Sequence, residues 1–243
     1  MPETERDNGG HGMLVVQAIN SFYGKAHILI DLSLKMEKGQ VGVLLGRNGV
    51  GKSTTLKSIM GIVCPKSGEI FFEGRPLVGL PSYKICAKGL GYVPEDRRIF
   101  TGLTIMENLE VGRRPAPEGF DSWTPERLFE LFPNLGGMKN RPGGQMSGGE
   151  QQMLTIARTL MGNPKLIILD EPSEGLAPVI VDQLGSAITK LKGEGVSILL
   201  AEQNLNFART ICDKAYIVDH GHICFDDEIG RLSDDVCEMH LAV

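Results

Sequence analysis

An α/β fold with a parallel central sheet is predicted by three features of the sequence. Continuous apolar runs alternate with helical periodicity in the last third, the pattern of strands buried on both faces with other elements packed over them. Short runs of alternating apolar and polar residues in the opening third read as strands separated by turns. Between these regions, from about Thr104 to Met161, helical periodicity is broken by Pro- and Gly-rich stretches. The 243 residues suit one large domain, expected at 13–235, with a helical insertion at about 96–161 and loose ends at 1–12 and 236–243.

Taken in order, MLVVQAI (13–19), HILIDLSLKM (27–36) and QVGVLL (40–45) read as strands. TTLKSIMG (54–61) reads as a helix and EIFFEG (69–74) as another short strand. In the middle, TPERLFELF (124–132) and GEQQMLTIARTLM (149–161) are helical, with Thr124 and Pro125 suited to the N-cap and first helical position. KLIILDEP (165–172) and SILLAE (197–202) are buried strands, and VIVDQLGSAITKLK (179–192) and LNFARTIC (205–212) are helices. VDHGHICF (218–225) reads as a hairpin turning at Gly221, a better account of His220 and His222 than a metal site. Trp123 is expected in a surface loop.

Bulk properties narrow the function classes. A net charge of −5 gives no electrostatic support for nucleic-acid binding. Five scattered cysteines, none in a CxxC pair, read as reduced thiols that are mostly packing residues. The first dozen residues lack the basic start and apolar run of a secretory signal. No run approaches the ~20 apolar residues that span a bilayer, so a membrane role is expected only through a partner.

Two anion seats stand out. Gly46–Ser53, GRNGVGKS, matches G-x-x-x-x-G-K-[ST] between an apolar strand and a helix. Backbone N–H groups of Gly46, Arg47, Asn48, Gly49, Val50, Gly51 and Thr54 can curl round phosphate oxygens at the positive helix end. Lys52 can reach the β- and γ-phosphates, and the Ser53 hydroxyl can ligate Mg2+. LIILDEP supplies Asp170 as a second metal anchor and Glu171 to orient or deprotonate an attacking water. The second seat, MSGGEQQ (146–152), opens a helix with Ser147, Gly148 and Gly149. Ser147 and Glu150 fit a capping box, while the same backbone could also bind a γ-phosphate.

The order of phosphate loop, SGGEQ and LDEPSEGL resembles the ATP-binding subunits of ABC transporters, over about residues 13–230. The resemblance implies a P-loop NTPase (RecA-like) core with a parallel sheet, an N-terminal antiparallel β subdomain and a helical signature subdomain. It implies ATP and Mg2+ as cofactors. It also implies that Ser147, Gly148 and Gly149 complete the nucleotide site of a second ATP-binding subunit docked head to tail. Hydrolysis would then remove γ-phosphate contacts and loosen the closed dimer.

Other roles carry over singly. Tyr23 corresponds to the aromatic that stacks on adenine. Glu95 stands where most relatives have a glutamine that senses Mg2+ and the attacking water, and Gln203 where most have a histidine that contacts the γ-phosphate. Met146 replaces a common leucine, and Ala177 a common aspartate in the loop Ser173–Pro178. Glutamine donates an amide hydrogen bond but carries no charge. With Lys52, Ser53, Asp170 and Glu171 intact, activity is expected. The set VPE-x-RR-IF, SGGEQQMLTIAR, DEPSEGLAP and EQN is similar to the LivF-type ATPases of importers for branched-chain amino acids, amides or urea.

That branch implies a LivG-like second ATPase subunit, or a second copy of this chain. It further implies transmembrane permease subunits, a solute-binding protein acting through them, and a peripheral place on the cytoplasmic face of the inner (plasma) membrane. Arg97–Phe100 would lie where the family grips a helix of the membrane subunit; internal packing of Ile99 and Phe100 is the competing, less favoured reading. A soluble ABC ATPase without a transporter, or a nucleotide-binding regulatory subunit with little turnover, are the competing readings.

Overall fold

The computed structural model describes residues 12–116 and 121–241; the expected N-terminal tail lies outside these apart from Gly12. The chain opens with β1 (Leu14–Tyr23) and β2 (Ala26–Met36), which pair antiparallel, then β3 (Val41–Leu45) and α1 (Lys52–Ile59). There follow β4 (Ser67–Phe72), β5 (Arg75–Pro76), α2 (Ser82–Ala87) and β6 (Leu90–Val93). The middle is helical: α3 (Ile105–Gly112), α4 (Pro125–Leu131), α5 (Pro133–Gly136) and α6 (Gly148–Leu160). The last third runs β7 (Leu166–Asp170), α7 (Pro178–Gly193), β8 (Ser197–Glu202), α8 (Leu205–Ile211), β9 (Lys214–Asp219), β10 (His222–Glu228) and α9 (Asp234–His240).

Two sheets result. One is antiparallel in the order β2-β1-β4-β5; the other runs β10-β9-β3-β8-β7-β6, parallel except for the β9–β10 hairpin. β3 comes early in the chain yet inserts between β8 and β9, so the phosphate-loop strand sits inside the sheet.

The period-2 geometry of a strand explains the apolar runs, because successive side chains enter opposite cores. Ile167, Leu169, Ile198 and Leu200 face a core shared with α6, α7 and α8. Leu166, Ile168, Leu199 and Ala201 face a second core built with α1, β1, β2 and β4. The sheet is thus covered by helices on one side and by the antiparallel sheet with α1 on the other.

Two segments depart from the sequence reading, at Trp123 and at residues 234–240. Trp123 is buried, 6% exposed, within the helical core, and its backbone N–H donates to Asn163 Oδ1 at 2.8 Å. It anchors the start of α4 instead of decorating a loop. The cysteines mostly pack as expected, Cys212 buried and Cys86 and Cys237 partly buried against the cores, while Cys64 and Cys224 are exposed. Residues 234–240, near the chain's end, form a helix capped by Ser233, with Val236 and Cys237 against the core.

Candidate nucleotide-binding site

The site residues stand at the carboxyl ends of adjacent strands, where ligands bind in open α/β sheets. β3 leads into Gly46, β6 into Glu95, β7 ends on Asp170 with Glu171 next, and β8 ends on Glu202 with Gln203 next. A cavity of about 330 Å3 is lined by Tyr23, Asn48, Gly49, Gly51, Lys52, Ser53, Thr54, Glu95, Glu171 and Glu174 among others. The structure thus brings together residues from every part of the first seat. Tyr23 is half exposed at the end of β1, on the cavity wall. Among the described residues, Ser147, Gly148 and Gly149 do not line this cavity.

The loop reaches its shape through glycine. Gly51 has φ +117°, in the region that L side chains rarely adopt, and caps α1 without any side-chain hydrogen bond. The first helical bond runs from Thr55 N–H to the Gly51 carbonyl, 2.8 Å. The N–H groups ahead of it have no intrahelical acceptor and form an anion-binding helix end. No acidic residue occupies the first turn to compete for them.

Lys52 is almost fully buried and thoroughly engaged. Its Nζ donates to the carbonyls of Gly46 (2.8 Å) and Arg47 (3.0 Å) and pairs with Glu171 Oε1 at 3.1 Å. Glu171 also accepts from Gln203 Nε2 at 2.7 Å. Burial opposes its charge, but a hydrogen bond from Glu174, the Lys52 charge and the Gln203 amide outweigh that and hold its pKa below the ordinary range. Glu174 moves the opposite way: it shares a hydrogen bond with Glu171, is partly desolvated, and faces the negative charges of Glu171, Glu95 and Glu202. The pair is thus split, with Glu171 shifted toward its charged form and Glu174 toward its neutral one. Glu171 also has φ +46°, a strained backbone for a non-glycine residue.

Asp170 is buried. Ser53 Oγ donates to its Oδ1 at 2.8 Å and Tyr92 OH donates to its Oδ2 at 2.9 Å. Burial raises the Asp170 pKa, with these two donors acting against it. An all-oxygen pair of hydroxyl and carboxylate beside a phosphate loop fits a hard divalent cation. Tyr92 and Glu174 are absent from the sequence reading. The GYVPE stretch carries a signal for Tyr92, since Tyr92 stands one residue before the end of a strand neighbouring β7.

The second seat is built differently. Ser147 accepts from Glu150 N–H at 3.4 Å while Glu150 Oε2 accepts from Ser147 N–H at 2.7 Å, a complete capping box. Gly149 is buried against α7: a Cβ there would lie 2.8 Å from Ile180 Cγ2. Gly148 sits beside the Arg97 guanidinium, where a Cβ would come within 2.7 Å of Nη1. Ser147 itself is exposed. The helix behind it is tied to the loop after Glu95, for Thr155 Oγ1 donates to the Arg97 carbonyl (2.9 Å) and Arg158 Nη2 to the Arg98 carbonyl (2.8 Å). Ile99 packs on the core, whereas Phe100 stays half exposed under the Arg158 guanidinium, 5.0 Å from its ring centre.

A parallel sheet with a glycine-rich phosphate loop, an engaged lysine and a Ser–Asp pair at the strand ends defines a P-loop nucleoside-triphosphatase core. Comparison with known proteins sharpens this class: the family described as "ABC transporter" matches residues 29–174, and the chain belongs to the ABC transporter ATP-binding cassettes. It is 44% identical to the high-affinity branched-chain amino acid transport ATP-binding protein BraG of Pseudomonas aeruginosa, covering 88% of this chain and 92% of that one. It is 33% identical to the probable branched-chain amino acid transport ATP-binding protein LivF of Archaeoglobus fulgidus (90% and 94% covered). It is 34% identical to the lipopolysaccharide export ATP-binding protein LptB of Haemophilus influenzae (87% and 88% covered). Among solved structures, an ABC transporter cassette in its ADP conformation superposes with a TM-score of 0.80 at 25% identity, covering 95% of this chain and 98% of that one. The chain is an ATPase subunit of a transport system, and among its described residues no helix is long and apolar enough to cross a membrane.

Proposed function

We propose that this chain is the ATP-hydrolysing subunit of an importer for branched-chain amino acids, bound peripherally to permease subunits at the cytoplasmic face of the membrane. The observation that supports the solute class is the 44% identity to BraG across nearly both whole chains. The weaker likeness to LptB makes lipopolysaccharide export the second reading.

Within the site, Tyr23 stacks on the adenine, the Gly46–Thr54 backbone and Lys52 hold the phosphates, and Ser53, Asp170 and Glu95 serve the cation. Bound Mg2+ would neutralise charge on the transferred phosphoryl group. Glu171 is the base and Gln203 contacts the γ-phosphate. The Lys52–Glu171 pair supports a substrate-armed base. Phosphate oxygens compete with Glu171 for Lys52, and a carboxylate that loses a neighbouring cation becomes more basic.

Ser147, Gly148 and Gly149 act on a nucleotide held by a second ATP-binding subunit, because their exposed capping turn stands apart from this chain's own cavity. That second subunit is a LivG-like chain or another copy of this one. The test is ATP turnover by the complex assembled with its permease and solute-binding protein. Stimulation by binding protein loaded with leucine, isoleucine or valine is expected. Turnover indifferent to those solutes but stimulated by lipopolysaccharide would replace import with export.

A further inference from the structure

Three metal-ligating side chains meet beside the β9–β10 hairpin, and two of them, Asp219 and His240, line a second cavity with Arg47, Asn48, Gly49 and Val50 of the phosphate loop. Asp219 ends β9, Cys224 lies in β10 and His240 ends α9; one donor atom from each lies within 4.8 Å of the other two. We propose that Asp219, Cys224 and His240 bind a late first-row divalent cation of the zinc type, through a carboxylate oxygen, Sγ and an imidazole nitrogen, with the remaining coordination position open to solvent.

Each ligand is presented by a distinct local feature. Ile223 pairs with Val218 and Phe225 with Ile217, so Cys224 is the extra residue of a β-bulge. A bulge leaves one residue out of the ladder and re-aims its side chain. Ile223 packs on the core of one sheet face and Phe225 on that of the other, while Cys224 is exposed. His240 reaches Asp219 from the last turn of α9, with Nδ1 3.2 Å from Oδ2. That helix buries none of its side chains fully and rests on the core through partly buried Val236 and Cys237, with its C-cap Leu241 packed there too. Its final residue adds a polar contact to the hairpin beside that apolar seam.

The donor set selects the cation. A thiolate and an imidazole favour zinc, cobalt, nickel or copper over magnesium and calcium, which take oxygen. Zinc bonds of ~2.0–2.3 Å place tetrahedral ligand atoms ~3.3–3.8 Å apart. Spacings within 4.8 Å close to that range through rotamer adjustments of side chains that are not locked in the core. Three protein ligands and one open position is the arrangement of an accessible zinc site. The place is also mechanically connected: Gly221 N–H, in the same hairpin turn, donates to the Val50 carbonyl of the phosphate loop at 3.0 Å.

The experiment uses the untagged full chain, stripped of metal by a chelator and free of nucleotide. Zn2+ is titrated calorimetrically and Co2+ is followed by absorption. One equivalent of each is expected per chain, with a sulfur-to-cobalt charge-transfer band. Cys224→Ser should abolish that band. Cys224→Ser and His240→Ala should each weaken Zn2+ binding by roughly tenfold or more, at least what losing a supporting outer partner alone would cost. Cys64→Ser, the exposed thiol elsewhere, should change neither readout. Circular dichroism checks that the variants, at exposed Cys64 and Cys224 and at part-buried His240, remain folded. Absence of a saturable first equivalent overturns the proposal, as does a cobalt band that survives Cys224→Ser or zinc affinity unchanged in both ligand variants.

Discussion

The two glycine-rich helix starts of this chain are finished to different degrees. At residues 46–53 the surroundings are complete. Lys52 is held by two carbonyls and Glu171, Ser53 is joined to Asp170, and Tyr92 supports Asp170 from the neighbouring strand. At residues 147–149 the chain supplies only a capped turn, with Ser147 exposed and the glycines wedged against Ile180 and Arg97. The two helix starts differ in their caps, a left-handed Gly51 against the extended Ser147 of a capping box, and only the first has a lysine, acids and an aromatic gathered in front of it. A helix N-terminus is therefore a seat, and what stands opposite decides whether it is a site. For the second seat that opposite wall belongs to another chain in our reading.

The comparison can be broken most forcefully at Glu171. Glu171→Gln removes the proposed base from the finished seat and should lower ATP turnover of the assembled complex by ~10²–10⁴-fold while ATP binding survives. Steady-state phosphate release alongside nucleotide binding reads both quantities, and unchanged turnover would remove Glu171 from the chemistry.

A smaller effect belongs to the second seat. Gly149→Ala drives a methyl to 2.8 Å from Ile180 Cγ2, and overpacking of this kind costs ~1–3 kcal/mol. Thermal unfolding should register the loss with nucleotide affinity of the isolated chain retained, because the glycine serves packing here and not the chain's own phosphate cradle.

The acids behind the finished seat give a pH signature. Burial raises the Glu202 pKa, against the donors from Ser173, Gln203 and Asn204. The folded chain then holds a proton that the unfolded chain has released, so stability falls as pH rises from the ordinary carboxylate value, ~4.3, through the raised folded one. Glu202→Gln should flatten that decline in unfolding midpoints measured across weakly acidic pH. An equal slope in the variant would assign the proton elsewhere, with buried Asp170 next in line.

The smallest expected change is a gain. Ala177 caps α7 without a side-chain hydrogen bond. Ala177→Asp should add about 1 kcal/mol to unfolding stability, the usual worth of an N-cap acceptor. No gain would mean the loop Ser173–Pro178 is held away from capping geometry.

Much of this was legible in the sequence where local pattern and chemistry coincide. GRNGVGKS needs its flanking strand and helix and has both. Ser147 and Glu150 are three apart and form the capping box, and LIILDEP ends as a buried strand with Asp170 at its tip. β6 escaped notice because four residues between Gly89 and Pro94 carry too little periodicity. Trp123 was misplaced because its loop composition says nothing of Asn163, forty residues on, which binds its backbone N–H inside the core. The Lys52–Glu171 pair depends on strand order, and the Asp219–Cys224–His240 cluster on the return of α9 to the β9–β10 hairpin; both join residues that sequence spacing keeps apart.

The most direct test of the unequal seats is Ser147→Arg. ATP affinity of the isolated chain and ATP turnover of the assembled complex are measured for the variant and the parent. An unchanged affinity with turnover lost is the expected result, because the new side chain would block a nucleotide held by the neighbouring subunit. An equal loss of ATP affinity in the isolated chain would contradict the account and return the second seat to its own chain.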